Sequence, residues 1–276
     1  MEHPEVRRIQ VVVLAALLCM VSSPVWAIGH VGIPFEVMRV MSAQSPGQKS
    51  ISWGICTSYF SQEFRPSPGQ QYMENRTTVS FGTGYMVTDK LGVGLLSELV
   101  RSTHDVNDSW TGRVNLEGKA GVFEASSVCG AITVLSSIPV YTSNGDDESV
   151  ALTPKLLVTY VPKSGGSLPP YNIHLNLGYA FSADGEKLDD LLLLGLGVEL
   201  EGKHFTPFME ITSEQAVHDS SLSVKENPLR LTPGLKWRPL ADICVGLAID
   251  LSLSEPPLPG LKLVEDWQVI VSIWKS

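Results

Sequence analysis

Twelve ionisable side chains recur in the polar phase of alternating runs, and they are the residues best placed to do chemistry. They are Glu98, Arg113, Glu117, Lys119, Lys155, His174, Glu199, Glu210, Arg230, Lys236, Arg238 and Asp250. Both signs occur on neighbouring runs. If these groups share one interior, each must find a partner or water, because a buried unpaired charge is strongly unfavourable. Two uses follow: a structural ion-pair network, or a ring of charges that tunes the passage of a small solute. Glu210 and Arg230, on adjacent runs, are expected to meet across strands.

Catalysis needs more. A hydrolase requires a nucleophilic hydroxyl, a histidine base and an orienting polar group that converge. The histidines of the main body, His104, His174, His204 and His218, lack a serine in the spacing such a site would show, and His30 lies upstream. His218-Asp219-Ser220 falls in a polar loop and reads as solvated. No phosphate-binding glycine loop, HExxH or calcium-loop spacing occurs. Of the four cysteines, Cys19 lies in the N-terminal apolar stretch that reads as cleaved; the remaining Cys56, Cys129 and Cys244 are odd in number and have no CxxC spacing, so neither a disulfide framework nor a metal site is expected. The expectation is no catalytic residue, no metal and no cofactor.

The elements that position these groups are legible in residues 204–251. Phe205, Pro207, Met209 and Ile211 alternate with Thr206, Phe208, Glu210 and Thr212. Leu229, Leu231, Pro233, Leu235 and Trp237 alternate with Arg230, Thr232, Gly234, Lys236 and Arg238, and residues 243–252 repeat the pattern. Successive strand side chains point to opposite faces, so each run has one apolar and one polar, glycine-dotted face. Segments of about ten residues with this period are the signature of a transmembrane β-barrel. Nine further candidates complete a set of twelve strands: about 49–60, 76–87, 93–101, 110–122, 126–140, 149–161, 171–181, 191–200 and 266–274. The expected fold is all-β, an antiparallel up-and-down barrel.

Two features above the single strand support it. Connections after odd-numbered strands are long (61–75, 102–109, 141–148, 182–190, 253–265) and those after even-numbered ones mostly short, the asymmetry of extracellular loops and periplasmic turns. Outward-phase aromatics also fall at strand ends. Tyr85, Tyr160, Tyr171, Phe205 and Trp237 lie at the short-turn ends, and Tyr59, Trp110, Phe181 and Trp267 at the long-loop ends. Amphipathic rings settle at headgroup level, so these read as two aromatic girdles. A soluble secreted β-protein would show the same alternation with the apolar face as its core. The small residues crowding the polar faces suit a lumen better.

The bulk numbers agree. With 276 residues, 24 glycines and a net charge of −9, the chain is large enough for one barrel and is ill suited to nucleic acid. No run of about 18 apolar residues follows the N-terminus, which excludes a helical membrane protein. Residues 1–27 read as a signal peptide, with Arg7 and Arg8 basic, an apolar stretch from Ile9 to Cys19, and a cleavage site at Val25-Trp26-Ala27. Residues 28–48 have no clear period. A periplasmic lead-in, a plug inside the lumen and a further short strand all stay open. The barrel itself is expected over 49–276.

Three stretches, TPFMEIT (206–212), RLTPGLKWRP (230–239) and VGLAIDLSL (245–253), resemble the C-terminal half of outer-membrane barrels related to the meta-pathway phenol-degradation family. The resemblance covers about 50 residues by motif and the rest only by strand pattern. It implies a bacterial outer-membrane protein for passive passage or binding of a small, often hydrophobic, molecule. Lipid and the barrel-insertion machinery would be its partners. A non-conducting structural or surface-recognition barrel shares the same scaffold and stays open beside it; an outer-membrane lipid hydrolase is the weaker alternative. One departure stands out: such barrels usually end on a lipid-facing aromatic, whereas Trp274 is out of phase with Trp267, Val269, Val271 and Ile273.

Overall fold

The computed structural model describes residues 41, 42, 44, 50–64, 72–104, 107–143, 150–162, 170–182, 190–217, 228–240, 243–254 and 267–275. The expected signal peptide and most of 28–48 lie outside these residues. The described chain forms β1 (Ile51–Phe64), β2 (Tyr72–Met86), β3 (Leu91–His104), β4 (Asn107–Glu124), β5 (Val128–Thr142) and β6 (Ala151–Tyr160). It continues with β7 (Tyr171–Ser182), β8 (Leu191–Leu200), β9 (Phe205–Ala216), β10 (Leu229–Leu240), β11 (Ile243–Ser252) and β12 (Trp267–Lys275). Each strand pairs antiparallel with its sequence neighbours, and β1 pairs with β12, so the sheet closes into the twelve-stranded barrel that the alternation predicts.

Closure fixes the meaning of the two faces. On β11, Leu247 and Ile249 are about half exposed while Ala248 and Asp250 between them are almost wholly buried. The same holds on β12, where Val271 and Ile273 point out and Ile270, Ser272 and Trp274 point in. A closed barrel with a continuous apolar exterior cannot be dissolved in water. Its ladders run unbroken from strand to strand around the closed sheet, as a bilayer requires. Among the described residues no helix is long and apolar enough to cross a membrane.

Some boundaries differ from the sequence reading. The polar stretch 102–109 is not a long loop. The ladder continues through Ser102↔Ser109, Thr103↔Asp108 and His104↔Asn107. Arg101 supports this extension by donating to Asp108 at 2.7 Å, and Thr103 donates to the same carboxylate at 2.8 Å. Cross-strand polar pairs of this kind hold a ladder together without an apolar face. At the opposite end the turns are tight: Thr88 Oγ1 accepts from Lys90 N and Leu91 N, ending β2 and starting β3.

Candidate functional site

The lumen of a twelve-stranded barrel is narrow enough for side chains to fill much of it. Its polar groups form two linked clusters and one cavity. In the first cluster Arg230 Nη1 donates to Asp250 Oδ2 at 2.6 Å. Asp250 is fully buried and also accepts from Thr232 Oγ1 and from Gln268 Nε2, each at 2.8 Å. Three donors from β10 and β12 therefore surround one carboxylate on β11. Arg230 and Glu210 lie on adjacent strands, as expected, but not directly opposite: register sets Arg230 across from Thr212 and Glu210 across from Thr232, two positions apart, and Arg230 Nη1 donates to Asp250 on its other flank.

The second cluster runs across β6 to β10. Lys236 forms an ion pair with Glu199, and its ammonium stands 5.6 Å from the centre of the Phe208 ring. Glu199 Oε1 lies 3.9 Å from His174 Nε2, and His174 Nδ1 is 3.0 Å from Thr159 Oγ1. A hydroxyl, an imidazole and a carboxylate in series resemble a hydrolytic triad. Thr159, however, is completely buried, and the Glu199 carboxylate is engaged by Lys236. The arrangement orients side chains inside the barrel and offers no substrate access to the hydroxyl.

A short piece of chain before β1 also reaches the lumen. Met41 N donates to Asn176 Oδ1 at 2.6 Å, and Asn176 Nδ2 donates back to Met41 O at 2.8 Å. Lys119 Nζ donates to Ser42 O at 2.9 Å and to Gln44 O at 2.7 Å. Ser42 Oγ and Thr159 Oγ1 are 3.4 Å apart. The Met41 side chain is buried against Ala131 and Leu157, with Cys129 packed beside them. Glu117, two residues from Lys119 on the same face, is 5% exposed, and among the described residues neither of its carboxylate oxygens accepts a hydrogen bond. Lys155 and Lys119 are the cations that act on it through space.

Above Met41, toward the long-loop end, lies a cavity of about 390 Å³. Leu96, Leu135, Leu191 and Leu193 supply apolar wall. Glu98, Arg113, Asn115, Lys155, Asn176 and Glu214 supply polar wall. Glu98 and Arg113 face each other directly in register across β3 and β4. The volume falls within the ordinary range for small-molecule sites, and the mixture of many apolar and few convergent polar groups is their usual lining.

Of the twelve side chains singled out from sequence, Glu117, Lys119, His174, Glu210, Arg230, Lys236 and Asp250 are buried in the barrel, and Glu98, Arg113, Lys155 and Glu199 are half-buried. Arg238 departs from them. It is exposed beyond Trp237, where the β10–β11 ladder shifts register. The nine outward aromatics all stand on the exterior phase, from Trp110 at 37% to Phe205 at 54% exposed, with Tyr171 half-buried. Trp110 also carries the Arg101 guanidinium 5.5 Å above its ring. Sequence reasoning missed Asn176 as a ligand of chain backbone, the four lumen leucines, and Phe208 and Trp274 as lumen filler. The phase was the available signal, since Leu96 shares the parity of Glu98 and Trp274 that of Ser272. The three described cysteines are free, with Cys56 and Cys244 buried in the lumen. Among the described residues no three His, Cys, Asp or Glu side chains are grouped to hold a metal.

Closed antiparallel connectivity, an apolar exterior and a charged, side-chain-filled lumen define an outer-membrane β-barrel of porin-like fold, and the bacterial outer membrane is its location. Solved structures agree on the fold. The KdgM porin superimposes with a TM-score of 0.50 at 8% identity, over 81% of this chain and 98% of that one. KdgM in complex with disordered oligogalacturonate gives a TM-score of 0.51 at 9% identity, with the same coverage. No protein-family model matches the sequence, and no curated protein matches it at significance.

Proposed function

We propose that this barrel admits a small molecule from its long-loop end into the cavity above Met41 and binds it there on a passive route across the membrane. The observation that carries the reading is the wall of that cavity. Leu96, Leu135, Leu191 and Leu193 gather in that one wall together with Asn115, Asn176 and Lys155. Its formal charges balance, two acidic against two basic, so the wall favours an uncharged molecule with one apolar face over an ion. The resemblance of 206–212, 230–239 and 245–253 to the phenol-degradation barrels points to the same class. The outward aromatics support two girdles at the membrane boundaries, and the interior charges serve mainly as the paired network that shapes the lumen.

The test is uptake into vesicles containing the full chain, comparing a small neutral aromatic alcohol with a sugar of similar volume. The expected result is faster entry of the alcohol, lost in Leu193→Asp. Equal entry of both solutes, unchanged by the substitution, would remove the reading. A second reading, a non-conducting structural or recognition barrel, is favoured by the filling of the lumen with Met41, Phe208 and Trp274. Absence of any solute-dependent uptake or conductance would select it.

A further inference from the structure

The contacts to residues 41, 42 and 44 come from four adjacent strands, β4 to β7, and most of them go to main chain. The Asn176 primary amide accepts through its oxygen and donates through its nitrogen to a single residue, Met41. A neighbouring strand would meet an extended residue in the same way. Lys119 spans the carbonyls of Ser42 and Gln44. One side chain, that of Met41, enters an apolar recess formed by Ala131 and Leu157, which are fully buried. A wall that reads backbone polarity and one apolar side chain is chemically a peptide-binding site.

These bonds are also of a kind that can be exchanged. Asn176 and Met41 both line the solute cavity, so water or a solute reaching that floor can replace the amide contacts at little net loss. The occupant is tethered directly to β1, which keeps its local concentration high and allows it to redock.

We infer that the β4–β7 wall of the lumen is a binding site for extended peptide, and that the stretch carrying Met41, Ser42 and Gln44 is its tethered, releasable ligand. The docking claim stands apart from solute passage; only its consequence, closing the floor of the cavity, rests on that reading.

The experiment uses the full chain with Cys56, Cys129 and Cys244 replaced by serine and Ser42→Cys introduced. A membrane-impermeant maleimide is applied to barrels verified as folded by heat modifiability. Labelling of residue 42 is expected to be slow, and to accelerate at least tenfold in K119M/N176A. Equal rates in the two proteins would overturn the proposal. Should K119M/N176A fail to fold, Thr159→Cys is added to the Ser42→Cys chain instead. A 42–159 disulfide should form under mild oxidation, and, after reduction, its re-formation should slow when a free peptide of residues 36–48 is supplied in large excess. No disulfide, or no effect of the peptide, would likewise overturn it. Planar-bilayer conductance is read in parallel: faster labelling without any current keeps the docked peptide and removes solute passage.

Discussion

Phe208 lies flat over Gly234, with its ring tip 2.2 Å from the point where a Cβ on that glycine would sit. The two are direct cross-strand partners on β9 and β10. The ring is 5% exposed and packs with Cys56, Ala248 and Ile270, and Lys236 stands over its face. Any methyl at position 234 must therefore displace a ring that is held on every side.

Gly234→Ala is expected to lower stability by about 1–3 kcal/mol, the usual cost of overpacking a filled interior. The check is the urea midpoint of the heat-modifiable band for protein folded in lipid vesicles. A midpoint equal to that of the native chain would mean that Phe208 has room to swing aside.

Asp250 is surrounded by donors and has no access to solvent, so its loss deprives the buried Arg230 guanidinium of its 2.6 Å carboxylate. Asp250→Ala should cost about 3–5 kcal/mol, while the double variant D250L/R230M should recover most of it, because removing both charges removes the desolvation penalty as well. The same urea titration measures both. A double variant as unstable as the single one would argue that Thr232 and Gln268, rather than the ion pair, dominate.

Leu196 is 41% exposed at mid-strand on the exterior, and Ser80 is 2% exposed in the lumen, opposite Glu98 in register. Leu196→Arg should destabilise by about 2–4 kcal/mol, the cost of a cation at the bilayer midplane. Ser80→Lys should be milder, since it meets a carboxylate. Folding yields in bilayers compare the two. Equal damage at both positions would contradict the assignment of faces.

The inward and outward tryptophans can be told apart by fluorescence. In variants retaining a single tryptophan, brominated lipids should quench Trp237 strongly and Trp274 weakly, because the first is 46% exposed on the exterior and the second 7% exposed inside. Similar quenching of the two would place Trp274 against lipid.

The alternation made the strands and their faces legible, because a period of two survives local irregularity and a one-residue slip would invert every side chain. Trp274 illustrates how far that goes. Its out-of-phase position in the sequence is where the ring sits, in the lumen against Gly246, where a Cβ would meet it at 2.8 Å. The partners of the charges were less legible. Arg230 can reach strands on either flank, and nothing in the sequence says that three donors converge on Asp250. The cavity was hidden for a different reason. Leu191 to Leu194 form an unbroken apolar run, which carries no phase of its own, so only Gly195 and Gly197 beyond it show which leucines point inward. The docking of Met41 on Asn176 joins residues far apart in the chain through main-chain atoms, which side-chain patterning does not encode.

Eleven of the twelve strand junctions are hairpins, joined by the chain itself; the twelfth is not. Trp53 faces Lys275 across the seam between β1 and β12, a contact whose loop is nearly the whole barrel. Until that seam zips, the growing sheet carries two raw edges whose peptide groups have nothing in hydrocarbon to bond. Pairing β1 with β12 removes both edges at once, and a break in either terminal strand would leave an open, sticky sheet rather than a smaller barrel. The suture is made by two strands that carry neither Arg230 nor Asp250.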